Sequence, residues 1–270
     1  MKTFSSLVKF TPWIGKNYKE SGFQGKKLLI VGESHYCKEE GNRNAECNKM
    51  WAHNGSRCSF NCMNESCHSM TDDLIRNEFL PYRLGLDTLP RTDANGKAIS
   101  YNHLKTHLCF ERNVLGHETS SHETLSFWNS VAFYNYIQHA QSGPCKSLEH
   151  NDRESYEIAF KEVIETLRPN YIVIWGTRLH KNNLLPQSEI TSIKSSDNAY
   201  ETPVRTFILE DGTEIPAMIV QHPCSSSGKN RTKWHALLKK FLEIGFPASR
   251  IVLSTSSFSI FLSFLFVFLF

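Results

Sequence analysis

Two short polar segments of the chain contain the residue types that acid–base chemistry requires. Gly32–Tyr36 has the sequence GESHY and contains one carboxylate, that of Glu33. His222–Ser227 has the sequence HPCSSS, in which an imidazole precedes a proline and several small polar side chains. Carboxylates and imidazoles are the side chains that most often transfer protons in enzymes. The two segments therefore predict an acid–base site, provided that the fold brings them together.

Apolar runs precede both segments and alternate with amphipathic patterns of helical period. The predicted strands are Lys27–Val31, Val131–Ile137, Tyr171–Trp175, Val204–Leu209 and Pro216–Val220, and the predicted helices are Asp152–Leu167 and Arg231–Ile244. This alternation predicts an α/β fold with three layers, α/β/α, around a central, mainly parallel four-stranded sheet. Ligands of such sheets bind beyond the carboxyl ends of the strands. We therefore expect both segments to meet in one crevice.

Length and composition indicate one globular domain. The chain has 270 residues, 40% of them hydrophobic, and a net charge of +3 that permits nucleic-acid binding without requiring it. We assign residues 1–250 to this domain, with a Cys/His-rich polar insertion at about 37–121 and a short helix near Met70–Glu78. The first residues have no apolar core of signal-peptide length, which favours a reducing, cytoplasmic location.

The insertion is rich in potential metal ligands. Four cysteines, Cys47, Cys58, Cys62 and Cys67, are close enough in sequence to hold a structural Zn²⁺, which would stabilise a polar segment. Their spacing departs from a regular pair of Cys-x2-Cys motifs, so free thiols and an iron–sulfur cluster are the alternatives. In a reducing compartment disulfides are not expected.

The last twenty residues, 251–270, differ from the rest of the chain. They contain no charged side chain and are about long enough to cross a bilayer. Three interpretations stay open: a membrane anchor, an element packed on the domain, and a tail foreign to it. A membrane is a partner only under the first of them.

Four segments together resemble the uracil-DNA glycosylase superfamily. LLIVGESHY is similar to the family's first strand and acidic loop, and HPCSSS is similar to its late HPSPLS loop. VAFYNYI resembles the strand that ends in a base-reading asparagine, and YIVIWG resembles the strand written VLLWG in the family. The segments follow the family's order and span about residues 26–243, apart from the insertion.

The resemblance implies roles for individual residues. Glu33 would be the acidic group, His222 would donate to the carbonyl of the departing base, and Asn135 would read the base edge. The other side chains of the base pocket would be Gly32, Ser34, His35 and Tyr36. The residues that would contact DNA phosphates are Pro223, Ser225, Ser226, Ser227, Lys229 and Arg231.

The chain departs from the family pattern in the first loop. The family's water-activating aspartate aligns with Ser34 and the following proline with His35, so Glu33 is the only carboxylate there. The implied function is hydrolysis of the bond between sugar and a flipped pyrimidine, either uracil or a modified cytosine such as those of phage DNA. No lysine in the motifs suits a Schiff base, so an abasic site is the expected product, with DNA as partner and no cofactor for the chemistry.

Two other functions compete with this one. A glycosylase fold that has lost its chemistry would be a DNA-binding module. Ser34 follows a strand, as does the nucleophile of a GDS-type serine esterase, yet Ile219 stands where that triad would need an aspartate before His222.

Overall fold

A computed structural model describes residues 4–35, 70–86, 102–138 and 153–244. The strands are β1 (Trp13–Ile14), β2 (Leu28–Gly32), β3 (Val131–Asn135), β4 (Tyr171–Trp175), β5 (Glu189–Lys194), β6 (Glu201–Ile208) and β7 (Glu214–Val220). The helices are α1 (Met70–Asp73), α2 (Leu80–Leu84), α3 (Asn102–Leu115), α4 (Ser121–Ser130), α5 (Arg153–Leu167), α6 (Arg178–Lys181) and α7 (Arg231–Glu243). A π-helical stretch, Leu74–Phe79, joins α1 to α2.

The strands of the described residues form one mixed sheet in the order β1-β3-β2-β4-β7-β6-β5. Neighbours among β3, β2, β4 and β7 are parallel, whereas β1, β6 and β5 each pair antiparallel with their neighbours. The predicted α/β class is confirmed. The sheet is, however, larger and more mixed in direction than the four-stranded, mainly parallel sheet that the sequence predicts.

The central strand, β2, is buried on both of its faces. Leu28 and Ile30 belong to one apolar cluster, and Leu29 and Val31 belong to another. Successive side chains of a strand point to opposite faces, so the two clusters lie on the two sides of the sheet. Burial on both faces explains why β2 is continuously apolar in sequence.

The elements predicted from apolar patterns agree with the structure to within a few residues. β4 has the predicted bounds, and α5 and α7 each differ from their predicted bounds by one residue. β6 and β7 form the predicted hairpin, whose turn contains Gly212 with a φ of 83°. The helix predicted near residues 70–78 is present, extends to Leu84 and is partly π-helical.

Two helices that contribute to the core lie within residues 102–130, a range that overlaps the polar insertion expected at about 37–121. Leu104 and Phe110 of α3 and Trp128 of α4 are at most 1% exposed and belong to the same apolar cluster as Ile30. The structure thus places this stretch against the sheet. None of the helices in the described ranges is long and apolar enough to cross a membrane, and residues 251–270 lie outside those ranges.

A buried carboxylate joins α3 to α4. Glu111 is completely buried and accepts hydrogen bonds from the hydroxyl groups of Thr119 and Thr124 and, at 2.8 Å, from the indole N–H of Trp128. Burial raises the pKa of Glu111, and these three donors oppose that rise.

We expect Glu111→Ala to lower the free energy of unfolding by roughly 2–4 kcal/mol, because three buried donors lose their acceptor. Glu111→Gln retains one acceptor oxygen and should cost less. Urea unfolding of the two variants measures the difference. Equal losses would show that the hydrogen bonds contribute little.

Candidate active site

The parallel strands place the two polar segments at the same edge of the sheet. Val31 pairs with Ile174 of β4, and Trp175 pairs with Val220 of β7. β2 and β7 therefore end at the same level along the strand direction, on either side of β4. Neighbouring strands lie about 4.8 Å apart, so the ends of β2 and β7 are separated by roughly 10 Å. The two residues predicted to perform the chemistry therefore leave the sheet on the same side.

Glu33 forms an ion pair with Arg178, a residue that the sequence analysis did not single out. An Oε1 of the carboxylate contacts an Nη2 of the guanidinium, and the two side chains are 15% and 21% exposed. Burial raises the pKa of Glu33, and the positive charge of Arg178 and its hydrogen bond oppose the rise. Arg178 begins α6, directly after the turn at Gly176, so it enters the site from the end of β4.

The short α6 follows from the sequence at the end of β4. Gly176 has a φ of 83°, a conformation that glycine adopts without steric cost, and it allows the chain to turn away from the sheet. A basic residue two positions after such a turn was the available signal for Arg178.

Asn135 and His35 contact each other beneath the first loop. The Nδ2 of Asn135 lies 2.9 Å from the Nε2 of His35, which is also 2.9 Å from the hydroxyl of Thr71. All three residues are buried. One side of the Asn135 amide is thus engaged by the protein, and Thr71 is a member of this cluster that no sequence motif indicated.

Gly32 makes the position of Asn135 possible. The two residues are register partners on β2 and β3, and a Cβ at position 32 would lie 2.2 Å from Oδ1 of Asn135. Backbone bonds continue the pairing beyond the strands, since the amides of Tyr136 and Ile137 donate to the carbonyls of Gly32 and Glu33. These bonds fix the backbone of Glu33.

Ser34 gives no support to the esterase alternative. Its buried hydroxyl has no hydrogen-bond partner among the described residues, whereas a serine nucleophile requires a histidine within hydrogen-bond distance. The adjacent His35 is engaged with Thr71 and Asn135. Tyr36, predicted to line the pocket, lies outside the described residues.

The loop that contains His222 is closed by its own hydrogen bonds. Both the amide and the hydroxyl of Ser225 donate to the carbonyl of His222, at 2.8 and 2.7 Å, and the amide of Gly228 donates to the hydroxyl of Ser225 at 2.9 Å. Asn113 of α3 donates to the carbonyl of Gly228 at 2.8 Å. The loop is therefore compact and attached to α3.

His222 is an exposed side chain in a partly desolvated position. Its surface is open to solvent, yet the surrounding protein lowers its pKa. Protein atoms near the ring displace part of the surrounding solvent, which disfavours the charged form of the imidazole. A lowered pKa keeps the imidazole neutral at pH 7, so that it donates one N–H and accepts at the other nitrogen.

The other residues predicted to contact phosphates differ in their environments. Pro223 is buried, whereas Ser226, Ser227 and Lys229 are exposed. Arg231 is paired with Glu118, which also contacts Arg112 at 2.7 Å. Within the described ranges, Ser226, Ser227 and Lys229 have no contact with a carboxylate, whereas Glu118 partly neutralises the charge of Arg231.

The predicted zinc ligands, Cys47, Cys58, Cys62 and Cys67, lie outside the described residues. Within the described ranges, no group of three or more histidine, cysteine or acidic side chains is arranged to hold a metal ion.

Comparison of the chain with protein-family models, with curated proteins and with solved structures finds no match.

We expect Gly32→Ala to destabilise the protein by roughly 1–3 kcal/mol, because the added methyl group would overlap the Asn135 amide. In an Asn135→Ala background the same substitution should cost less, since the nearest obstacle is gone. Denaturant unfolding of the two single variants and the double variant measures this coupling. The Cζ of Phe133 would lie 2.9 Å from the same methyl group, so a residual cost is expected from that ring. An identical cost in both backgrounds would mean that Asn135 contributes nothing to the loss.

Proposed function

We propose that the chain is a DNA glycosylase of the uracil-DNA glycosylase type, which hydrolyses the N-glycosidic bond of a flipped pyrimidine and leaves an abasic site. The observation that supports this most directly is the shared edge of the sheet from which Glu33 and His222 extend, with β4 between them. The separation of about 10 Å between the ends of β2 and β7 is compatible with a flat ring between the two side chains.

The carboxylate would act on the sugar side of the scissile bond. As the bond breaks, positive charge develops on the sugar, and an ionised Glu33 would stabilise that charge and orient the attacking water. Arg178 would act on Glu33 as a positioning residue, because its ion pair holds the carboxylate and favours the ionised form.

The imidazole would act on the base side. Negative charge grows on the departing base, and a neutral His222 would donate its N–H to the base carbonyl. The lowered pKa of His222 favours this neutral form, and the hydrogen-bonded loop fixes the backbone that presents it. His35 already engages the Nδ2 of Asn135. Asn135 would read the base edge with the hydrogen-bonding capacity of its amide that His35 leaves unused.

The DNA backbone would lie along the histidine loop. Exposed hydroxyl groups of Ser226 and Ser227 can donate to phosphate oxygens without reading sequence, and exposed Lys229 adds positive charge. The exposed Lys105 of α3 extends the same charge. Extracting one base costs a few kcal/mol of stacking, which such contacts would offset.

The finer features of this assignment are parts of the same proposal. They comprise the three-layer α/β/α arrangement, a cytoplasmic location, a structural zinc in the cysteine-rich segment, and a choice between uracil and a modified cytosine, including those of phage DNA. None of them is required for the roles of Glu33 and His222.

A DNA-binding module without catalytic activity is the second candidate, and a specific observation favours it. Arg178 occupies the Glu33 carboxylate, and His35 engages the Asn135 amide, so both groups already have protein partners. A module would bind DNA but release no base.

The central test is a panel of duplexes, each with one altered pyrimidine, scored for alkali-labile sites. We expect Glu33→Gln to lower the rate of base release by about 100-fold and His222→Ala by about 100- to 1000-fold. Glu20→Gln and His122→Ala replace exposed residues of the same types and should leave the rate unchanged.

Two outcomes would contradict the proposal. Base release that survives both site substitutions would show that the chemistry lies elsewhere. DNA binding without release on any duplex, unchanged by Glu33→Gln, would favour the module.

The pH dependence of base release offers a separate test of Arg178. Activity requires Glu33 ionised and His222 neutral, so the rate should rise with pH through both pKa values and level off above them. Arg178→Gln removes the cation that opposes the burial effect, so it should raise the pKa of Glu33 and move the acid limb to higher pH. Arg178→Lys keeps the charge and should move it less, whereas equal shifts would exclude an electrostatic role.

A further inference from the structure

Two thiols face each other beneath the histidine loop. Cys224 belongs to the loop and Cys109 to α3, and their sulfur atoms lie 3.8 Å apart. Both side chains are half-buried and both are free cysteines. The pair joins the two elements that Asn113 and Gly228 also connect.

The surroundings of Cys224 stabilise its thiolate. The Cys109 thiol, the Thr106 hydroxyl at 3.4 Å, and the positive charges of Lys229 and Lys105 together lower the pKa of Cys224 to about 6. The same pairing and burial raise the pKa of Cys109. The lysines and the Thr106 hydroxyl therefore favour the thiolate on Cys224 over a thiolate on Cys109.

The geometry permits a bond between the two sulfur atoms. A disulfide bond is about 2.05 Å long, so the sulfur atoms are within roughly 1.7 Å of bonding distance. Partial exposure leaves both sulfurs open to a small reagent. Attack by a thiolate on a disulfide is the usual route by which such bonds form.

We propose that Cys224 and Cys109 form a reversible redox pair, a modification site for low-molecular-weight disulfides of the glutathione disulfide class. The thiolate of Cys224 attacks one sulfur of the reagent, whose S–S bond breaks and releases one thiolate. Cys109 then loses its proton to solvent and its sulfur attacks Cys224, which releases the second thiolate. The two protein thiols are oxidised by two electrons, and the reagent is reduced to two thiols.

The new bond would change the histidine loop in two ways. It would attach the loop covalently to α3, and it would remove the negative charge that lies near Lys229 and Lys105. Neither effect depends on which reaction the site performs, so this inference stands apart from the proposed function.

The test treats the full-length folded protein with glutathione disulfide, blocks remaining thiols, and maps tryptic peptides with and without reductant. Cleavage after basic residues places Cys109 in peptide 106–112 and Cys224 in peptide 206–229, each with a single cysteine. The expected result is a cross-linked pair of these two peptides that dithiothreitol separates.

Single-cysteine variants test the order of the steps. In Cys109→Ser the mixed disulfide on Cys224 should persist at least about tenfold longer than in the unsubstituted protein, because no neighbouring thiol displaces glutathione. Cys145→Ser, a control for loss of a cysteine, should retain the cross-link. Absence of the 109–224 cross-link overturns the proposal, and so does an equal lifetime of the mixed disulfide with and without Cys109.

Discussion

The parallel hydrogen bonding of β2 with a strand on each side is the constraint on which the site depends. β2 pairs with β3 and β4 over nearly its whole length, and each of its residues is buried. A shift of one residue would exchange its two apolar faces, so the register is strongly specified. The same register fixes where Glu33 begins and which residue of β3 lies beside Gly32.

Burial and charge act in opposite directions at the strand ends. Burial disfavours the ionised forms of both Glu33 and His222, and Arg178 opposes the effect at the carboxylate alone. Burial is the cause of the lowered pKa at the imidazole. The carboxyl ends of the strands thus combine a paired carboxylate with a histidine whose neutral form is favoured, and the two strands that carry these residues end about 10 Å apart.

Most of the sheet could be predicted from the sequence because its central strands are buried on both faces and so consist of uninterrupted apolar residues. β5 gave no such signal, since it is an edge strand with mostly exposed side chains, and β1 has only two residues. The helix α3 was overlooked because polar residues separate its core positions, Leu104, Phe110 and Val114. The apolar positions of α3 are recognisable as one face only when it is known that α3 packs against α7.

The candidate site was predictable only where a residue follows an apolar strand. Glu33, Asn135 and His222 satisfy that rule, and the structure places them at one edge. Arg178 also follows an apolar strand, β4, but like Thr71 it acquires its significance from a partner on a distant element. A single sequence contains no information on such pairings, nor on the approach of Cys109 to Cys224.

The π-helical stretch between α1 and α2 sets the rotation of one helix relative to the other. Thr71, before it, contacts His35, and Arg83, after it, donates to Thr119 and Thr124 near the start of α4. Removing one residue from Leu74–Phe79 would favour ordinary α-helix and turn one end against the other by about 100°. Both contacts could not then persist. The wider π-helical turn therefore sets the angle around the helix axis between Thr71 and Arg83. The length of Leu74–Phe79 is consequently as constrained as the identity of its side chains.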